Sequence, residues 1–551
     1  MTPLKRFINL LKLDKKDITQ IFFYAIFAGI VSLSLPLGIQ AIINFIQAGR
    51  ISVSWMVLVF LVVLGVAFVG ALSLMQLRIT ENLQQKIFVR SSFEFAYRIP
   101  KFKFEEIYGK YTPELANRFF DTLTIQKGTS KLLIDFSAAL LQITFGLILL
   151  SLYHPFFIIF GILLMFLLYF IFKFSYTPGL ESSLKESKFK YKVASWLQEL
   201  ARNSNSFKRE NYHEFALIKN DKLVQDYLNY REKHFNIIRK QFIQLISFKV
   251  IITASLLLIG GFLVLNEQMN IGQFVAAEII ILLVINSVEK IILGLETFYD
   301  VLTSIEKIGQ ITDMEIEQET YVNQTECYNS ISLEADNISF HFPDSNENVL
   351  ENINLTIEQG EKICIDGDNG SGKTTLIRLL AGIIQPTYGA LYINDDTFRK
   401  INLAQYRAHI ACLTQGETLF EGTIAQNLMF GYSVNNDEIK SALDAVQLTS
   451  FIKTLPEGLD TKIHPEGKQL SSSNAQKILL ARCIISKPRI LFLENPTDKM
   501  DEETSTKIID YLTDSKRHWT LVVASKNPKW RKQGSRIILI ENGKISSDSK
   551  I

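Results

Sequence analysis

Six long apolar runs constrain this chain more than any other feature. They lie near Ile21–Phe45, Val53–Leu77, Leu132–Leu152, Phe156–Phe172, Val250–Leu265 and Phe274–Ile292. About 20 apolar residues in helical form cross the hydrocarbon core of a bilayer. A helix or a closed barrel is the only way to satisfy the backbone there. The runs carry very few charges, which argues against six buried helices of a soluble protein. They predict an all-α, six-helix membrane domain, with the short fourth and fifth runs extended into their flanks.

The connecting loops set the orientation. Lys5, Arg6, Lys12, Lys15 and Lys16 precede the first run, and Lys86, Arg90, Arg98, Lys101 and Lys103 lie between the second and third. Basic residues recur from Lys185 to Lys240, between the fourth and fifth. The loops Tyr153-His154-Pro155 and Asn266–Asn270 have none, and the first-to-second loop has only Arg50. Positive charge stays on the cytoplasmic side, so alternate loops and both ends are expected inside a plasma or inner membrane. The long inner connections, Leu77 to Leu132 and Phe172 to Val250, are polar but helix-compatible, which predicts helices running on past the membrane. Pro3–Leu13 mixes basic and apolar residues at helical spacing, the pattern of a short helix on the inner surface. No small-residue cleavage pattern follows the first run. Charges inside a membrane domain are functional candidates by default. Asp135, Lys249, Glu289 and Lys290 fall near cytoplasmic helix ends, leaving Glu278 as the residue expected to line a cavity. Pro36 marks an expected kink.

From about Ile331 the pattern changes to short strands and turns. Lys362–Asp366 reads as a buried strand, and it leads into Gly367-Asp368-Asn369-Gly370-Ser371-Gly372-Lys373-Thr374-Thr375, which opens a helix. This is the spacing G-x-x-x-x-G-K-[ST]. Its glycines turn backbone N–H groups inward as an anion nest at a helix N-terminus. Gly367, Asn369, Gly370, Gly372, Lys373, Thr374 and Thr375 are thus expected to hold ATP, with Lys373 on the terminal phosphates and Thr374 on Mg²⁺. The formal net charge of +2 points to no nucleic-acid partner. Cys327, Cys364, Cys412 and Cys483 have no metal-ligand spacing and fit reduced thiols.

Further motifs follow in order. Ile338–Pro343 contains Phe342; Leu413–Gly416 contains Gln415; Leu470–Asn474 precedes an expected amphipathic helix, Gln476–Arg482; and Ile490–Thr497 reads as a buried strand ending at Glu494. This order and spacing resemble an ABC transporter of the exporter type, in its half-transporter form, over essentially the whole chain. The resemblance implies a membrane domain over 1–312, a linker over 313–330, and an α/β P-loop domain with a helical subdomain over 331–551. It further implies that Phe342 stacks on adenine, that Gln415 and Glu494 serve Mg²⁺ and the attacking water, and that Ser471 and Ser473 belong to the signature that meets ATP across a dimer. Asp501 falls in the loop that communicates between sites. Segments near Gly109–Arg118 and Leu197–Asn211 would hold the coupling helices.

Several positions depart from the family pattern. Asn495 stands where the family has its catalytic glutamate, and a neutral amide accepts no proton from water. Ser472, Ser473 and Asn474 replace Gly, Gly and Gln. Ser525 or Lys526 occupies the place of the switch histidine; Lys526 keeps a charge able to neutralise phosphate. A homodimer would carry these changes in both ATP sites. The expectation is therefore a chain that binds Mg-ATP, hydrolyses it poorly by itself, and pairs through both domains with a better-equipped second half-transporter to export a substrate across the bilayer. The alternative is a non-hydrolysing, ATP-responsive subunit that regulates or assembles another membrane complex.

Overall fold

A computed structural model describes residues 1–47, 53–317 and 330–551. Arg50, Cys327 and most of the expected linker lie outside the described residues. The chain divides into two compact units: Met1–Phe102 with Gly109–Ile316, and Lys103–Tyr108 with Glu317–Ile551.

In the first unit, α1 (Pro3–Leu13) leads into α2 (Lys15–Gln47) and α3 (Val53–Arg98). Two short helices, α4 (Phe104–Ile107, assigned to the second unit) and α5 (Thr112–Asn117), precede α6 (Asp121–Ser151), α7 (Phe156–Arg202), α8 (Glu210–Leu265) and α9 (Ile271–Thr312). Six of these helices are long and apolar enough to cross a membrane. The lengths of α3, α7 and α8, at 46, 47 and 56 residues, far exceed the span of a bilayer and match the expected overrun. α6 ends at Ser151, one residue short of the expected Leu152, because Leu152 and Tyr153 close a tight turn onto Leu149 and Leu150. α2 continues through Pro36.

α6 and α9 approach closely through small residues. A Cβ on Gly294 would sit 2.4 Å from the Phe136 ring, and one on Gly128 would sit 2.3 Å from Val301. Close approach through glycine is how helices associate where no hydrophobic gain separates protein from lipid. Several polar side chains within the bundle are paired: Ser287 donates to Gln142 at 2.7 Å, and Tyr153 to Gln40 at 2.6 Å. Lys249 and Glu289, two of the intramembrane candidates, form an ion pair at 3.3 Å. α1 is anchored by the Arg6 guanidinium, which donates to both Asp313 oxygens, and by Phe7 edge-on to Phe298 at 6.0 Å.

The second unit is built on two main sheets. Its elements are β1 (Leu333–Phe340), β2 (Leu350–Ile357), β3 (Lys362–Gly367), α10 (Lys373–Leu380), β4 (Tyr388–Ile393), β5 (Asp396–Thr397), α11 (Leu403–Ala408) and β6 (Ile410–Leu413). The helical part comprises β7 (Gly422–Thr423), α12 (Ile424–Met429), α13 (Asn436–Ala445), α14 (Thr449–Thr454), β8 (Lys462–Ile463) and α15 (Ser472–Ile485). β9 (Ile490–Glu494), α16 (Glu502–Thr513), β10 (Thr520–Ala524), α17 (Pro528–Gln533), β11 (Arg536–Glu541) and β12 (Lys544–Lys550) complete it. The larger sheet runs β12-β11-β3-β10-β9-β6, parallel from β11 to β6 with an antiparallel edge at β12. Its inner strands are apolar on both faces, as helix-covered parallel strands must be. A four-stranded antiparallel sheet, β2-β1-β4-β5, flanks it.

One expected element is corrected. The helix expected over Gln476–Arg482 begins at Ser472 and is not amphipathic. Lys477 to Ile485 is buried on nearly every side, because α15 runs through the centre of the helical part. Lys477 is buried and Arg482 half-buried, each with a partner: Arg482 donates to the Asn427 carbonyl at 2.7 Å, and Lys477 to that of Gln447 at 3.4 Å.

Candidate nucleotide site

The parallel sheet supplies the platform. β3, β9 and β10 are adjacent, so their C-terminal ends deliver the phosphate loop, Glu494 and Ser525 to one edge. Open parallel sheets bind ligands at this edge.

The loop from Gly367 to α10 has the backbone that its glycines permit. Gly372 has φ +102° and caps α10; a Cβ there would meet Leu350 at 2.6 Å and the Val349 carbonyl at 3.0 Å. Gly367 (φ +145°) lies against the Ile540 carbonyl, where a Cβ would come within 2.2 Å. Asn369 and Gly370 stand exposed at the loop tip, and Thr375 is buried in the first turn of α10. Lys373 Nζ curls over the loop, donating to the carbonyls of Gly367 at 2.8 Å and Asp368 at 2.7 Å. Partial burial and then the charge of Lys526 lower its pKa. Lys526 Nζ lies 3.5 Å from the Asp368 carboxylate.

Thr374, Gln415 and Glu494 converge. The Thr374 hydroxyl donates to Glu494 Oε1, and the Gln415 N–H donates to Glu494 Oε2 at 2.9 Å. Among the described residues no group of three His, Cys, Asp or Glu side chains is placed to hold a metal. The donor set here is instead one carboxylate and one hydroxyl, hard oxygens of the kind that take Mg²⁺ when phosphate and water complete its shell. The residues fit the cofactor. A cavity of 320 Å³ runs from Gln415 past Glu494 and Asn495 to Ser472.

Asn495 follows in a left-handed conformation, φ +45°. Its N–H donates to the Ala524 carbonyl at 2.9 Å, and its carbonyl accepts from Gln476 at 2.8 Å. Asparagine tolerates that backbone better than most residues. Ser471 caps α15, its hydroxyl accepting the Asn474 N–H at 3.2 Å; Ser472 and Ser473 form the first helical turn. Among the described residues no hydrogen bond or ion pair joins Ser471 or Ser473 to the phosphate loop. Ser525 comes directly after β10, fully buried, with its N–H on the Ile365 carbonyl at 3.2 Å. Lys526 is the next residue and points to the loop. Asp501 caps α16 by accepting the Thr504 N–H at 2.9 Å, which lowers its pKa. Gly109–Arg118 contains α5, whereas Leu197–Asn211 contains only a 3₁₀ turn, Ser206–Lys208, between α7 and α8.

Two residues escaped the sequence reading. Asp366, buried at the end of β3, accepts the Gly367 N–H at 2.6 Å and pairs with Arg531 of α17. An acidic residue inside an apolar strand was the available signal. Tyr108 lies flat on Phe342, and no local sequence signal marks it.

Comparison with known proteins follows the same division. Residues 18–288 match the ABC transporter transmembrane region, and residues 350–498 match the ABC transporter domain. The chain is 34% identical over 224 residues to the ATP-dependent permease MDL1 of Candida albicans, covering 40% of this chain and 33% of that one. It is 30% identical over 296 residues to an ATP-dependent lipid A-core flippase of Desulfotalea psychrophila, covering 53% and 51%. The chain thus spans between a third and about half of the length of these relatives. In fold it is similar to a bacterial Atm1-family ABC exporter with ATP bound, with a TM-score of 0.82 at 17% identity over 97% of this chain and 95% of that one.

Proposed function

We propose, from the premise that this chain belongs to the ABC transporters and fuses their transmembrane region to their ATP-binding domain, that it is half of an ATP-driven exporter. Lys373, the loop N–H groups and Gly372 would hold the phosphates, and Phe342 the adenine. Thr374, Glu494 and Gln415 would hold Mg²⁺, which when bound neutralises phosphate charge. ATP held between two such domains favours their closed pairing, and that preference for one state is what turns binding into movement of the membrane helices. The basic inner loops support a plasma- or inner-membrane placement with both ends and the ATP-binding domain in the cytoplasm.

The reading of weak hydrolysis rests on one observation: the residue after the Mg²⁺-side carboxylate Glu494 is Asn495, an amide anchored by its backbone. Asn495 offers an amide in place of a carboxylate base, and such a base contributes about 10²–10⁴ in rate. A second half-transporter with its own base and histidine would supply one competent site opposite this chain's Ser471 segment. The substrate belongs to the pair. The test is to co-purify that partner and measure ATP turnover by the pair and by this chain alone. Turnover by the pair alone supports the reading; binding without turnover in every pairing supports a regulatory subunit instead.

A further inference from the structure

Lys103–Tyr108 follows the end of α3 in sequence but folds as part of the nucleotide-binding unit. Phe104 packs on that unit's core beside Phe342, with ring centroids 6.3 Å apart. Tyr108 lies nearly parallel to Phe342, at 5.1 Å between centroids and 14° between planes, and the Asp344 carboxylate neighbours its hydroxyl. Phe340 meets Phe342 edge-on, at 5.2 Å and 84°. A flat ring laid parallel on Phe342 is the arrangement a purine would adopt there. Two rings cannot share that face.

We propose that Tyr108 occupies the stacking face of Phe342 in place of a nucleobase, so that binding of a purine nucleotide displaces Tyr108 and releases the segment Lys103–Tyr108. This rests on the reading of Phe342 as the base-stacking residue. The segment is covalently continuous with α3, which ends at Arg98, and with α5, which begins at Thr112. The nucleotide is thereby sensed through its base as well as through its phosphates. An aromatic pair shifts an equilibrium by about two- to tenfold, so the resident tyrosine weakens nucleotide affinity by that factor.

Isothermal titration of the full-length chain in nanodiscs, with Mg-ATP and with Mg-tripolyphosphate, which has phosphates but no base, tests this. Y108A should bind Mg-ATP about two- to tenfold more tightly with Mg-tripolyphosphate unchanged. Y108F, which keeps the ring, should stay near the unsubstituted chain. With Tyr108 already removed, F342A should lose affinity for Mg-ATP but not for Mg-tripolyphosphate, whereas F342A alone removes both stacked partners and should change affinity little. In the unsubstituted chain, Mg-ATP but not Mg-tripolyphosphate should speed tryptic cleavage after Lys110, and in Y108A that cleavage should be fast without nucleotide. If Y108A/F342A binds Mg-ATP as tightly as Y108A, the proposal is overturned through its premise. If Y108A/F342A binds Mg-ATP more weakly than Y108A but Y108A binds it no more tightly than the unsubstituted chain, the premise stands and Tyr108 is not a competitor.

Discussion

Single atoms decide what the nucleotide site does. Lys373 spends two of its three donors on loop carbonyls, and phosphate oxygens would take them over with a stronger, charge-assisted bond. Lys373→Ala should therefore lower Mg-ATP affinity at least tenfold, read by titration, with the melting temperature unchanged. Ser471 has a separate, structural duty. Its hydroxyl satisfies an otherwise unpaired N–H at the start of α15, and Ser471→Ala should cost the ATP-binding unit about 1 kcal/mol, measured by denaturant unfolding. The three described thiols, Cys364, Cys412 and Cys483, have pKa values raised by burial, those of Cys364 and Cys483 to about 11 and about 12. They should resist alkylation at pH 8 until the chain unfolds, because the thiolate is the reactive species.

At the level of elements, turns and strand pairs hold the site in register. Gly372 joins loop to α10 at a left-handed angle with no space beside it. Gly372→Ala should both destabilise the unit and abolish nucleotide binding, measured by melting and titration on one sample. On the far edge of the sheet, Arg536 of β11 is buried and bidentate to Asp548 of β12 at 2.7 and 2.6 Å. This bond, more than its Coulombic attraction, lowers the Asp548 pKa. A carboxyl depressed in the folded state adds stability that is complete above its unfolded pKa, about 4, and is lost as pH falls through the folded value. Arg536→Met should lower stability at pH 7 by on the order of 1 kcal/mol, since Asp548 is partly open to solvent. Its difference from the unsubstituted chain should shrink below pH 4 in acid unfolding.

Across the whole molecule, what the sequence revealed depended on how local the cause was. The six membrane helices were legible because each apolar run states its own length requirement, and the phosphate loop because its glycines mark positive φ at three closely spaced residues, Gly367, Gly370 and Gly372. Helix α15 was misjudged because Lys477 and Arg482 count as surface residues in any pattern, whereas the fold buries Lys477 and half-buries Arg482, each with a carbonyl partner. Tyr108 on Phe342 was out of reach, since the two residues belong to distant parts of the chain and meet only after folding. Asn495 was visible as a substitution, but its left-handed backbone, which suits asparagine, appeared only in three dimensions. Asn495 is proposed to separate ATP binding from ATP hydrolysis. Steady-state ATP turnover of the purified chain in lipid, compared with Asn495→Glu and paired with Mg-ATP titration of both, measures that separation. Affinity should be equal, turnover of the unsubstituted chain near background, and the gain on restoring the carboxylate about 10²-fold or more. Equal and brisk turnover by both proteins would show that Asn495 does not limit hydrolysis.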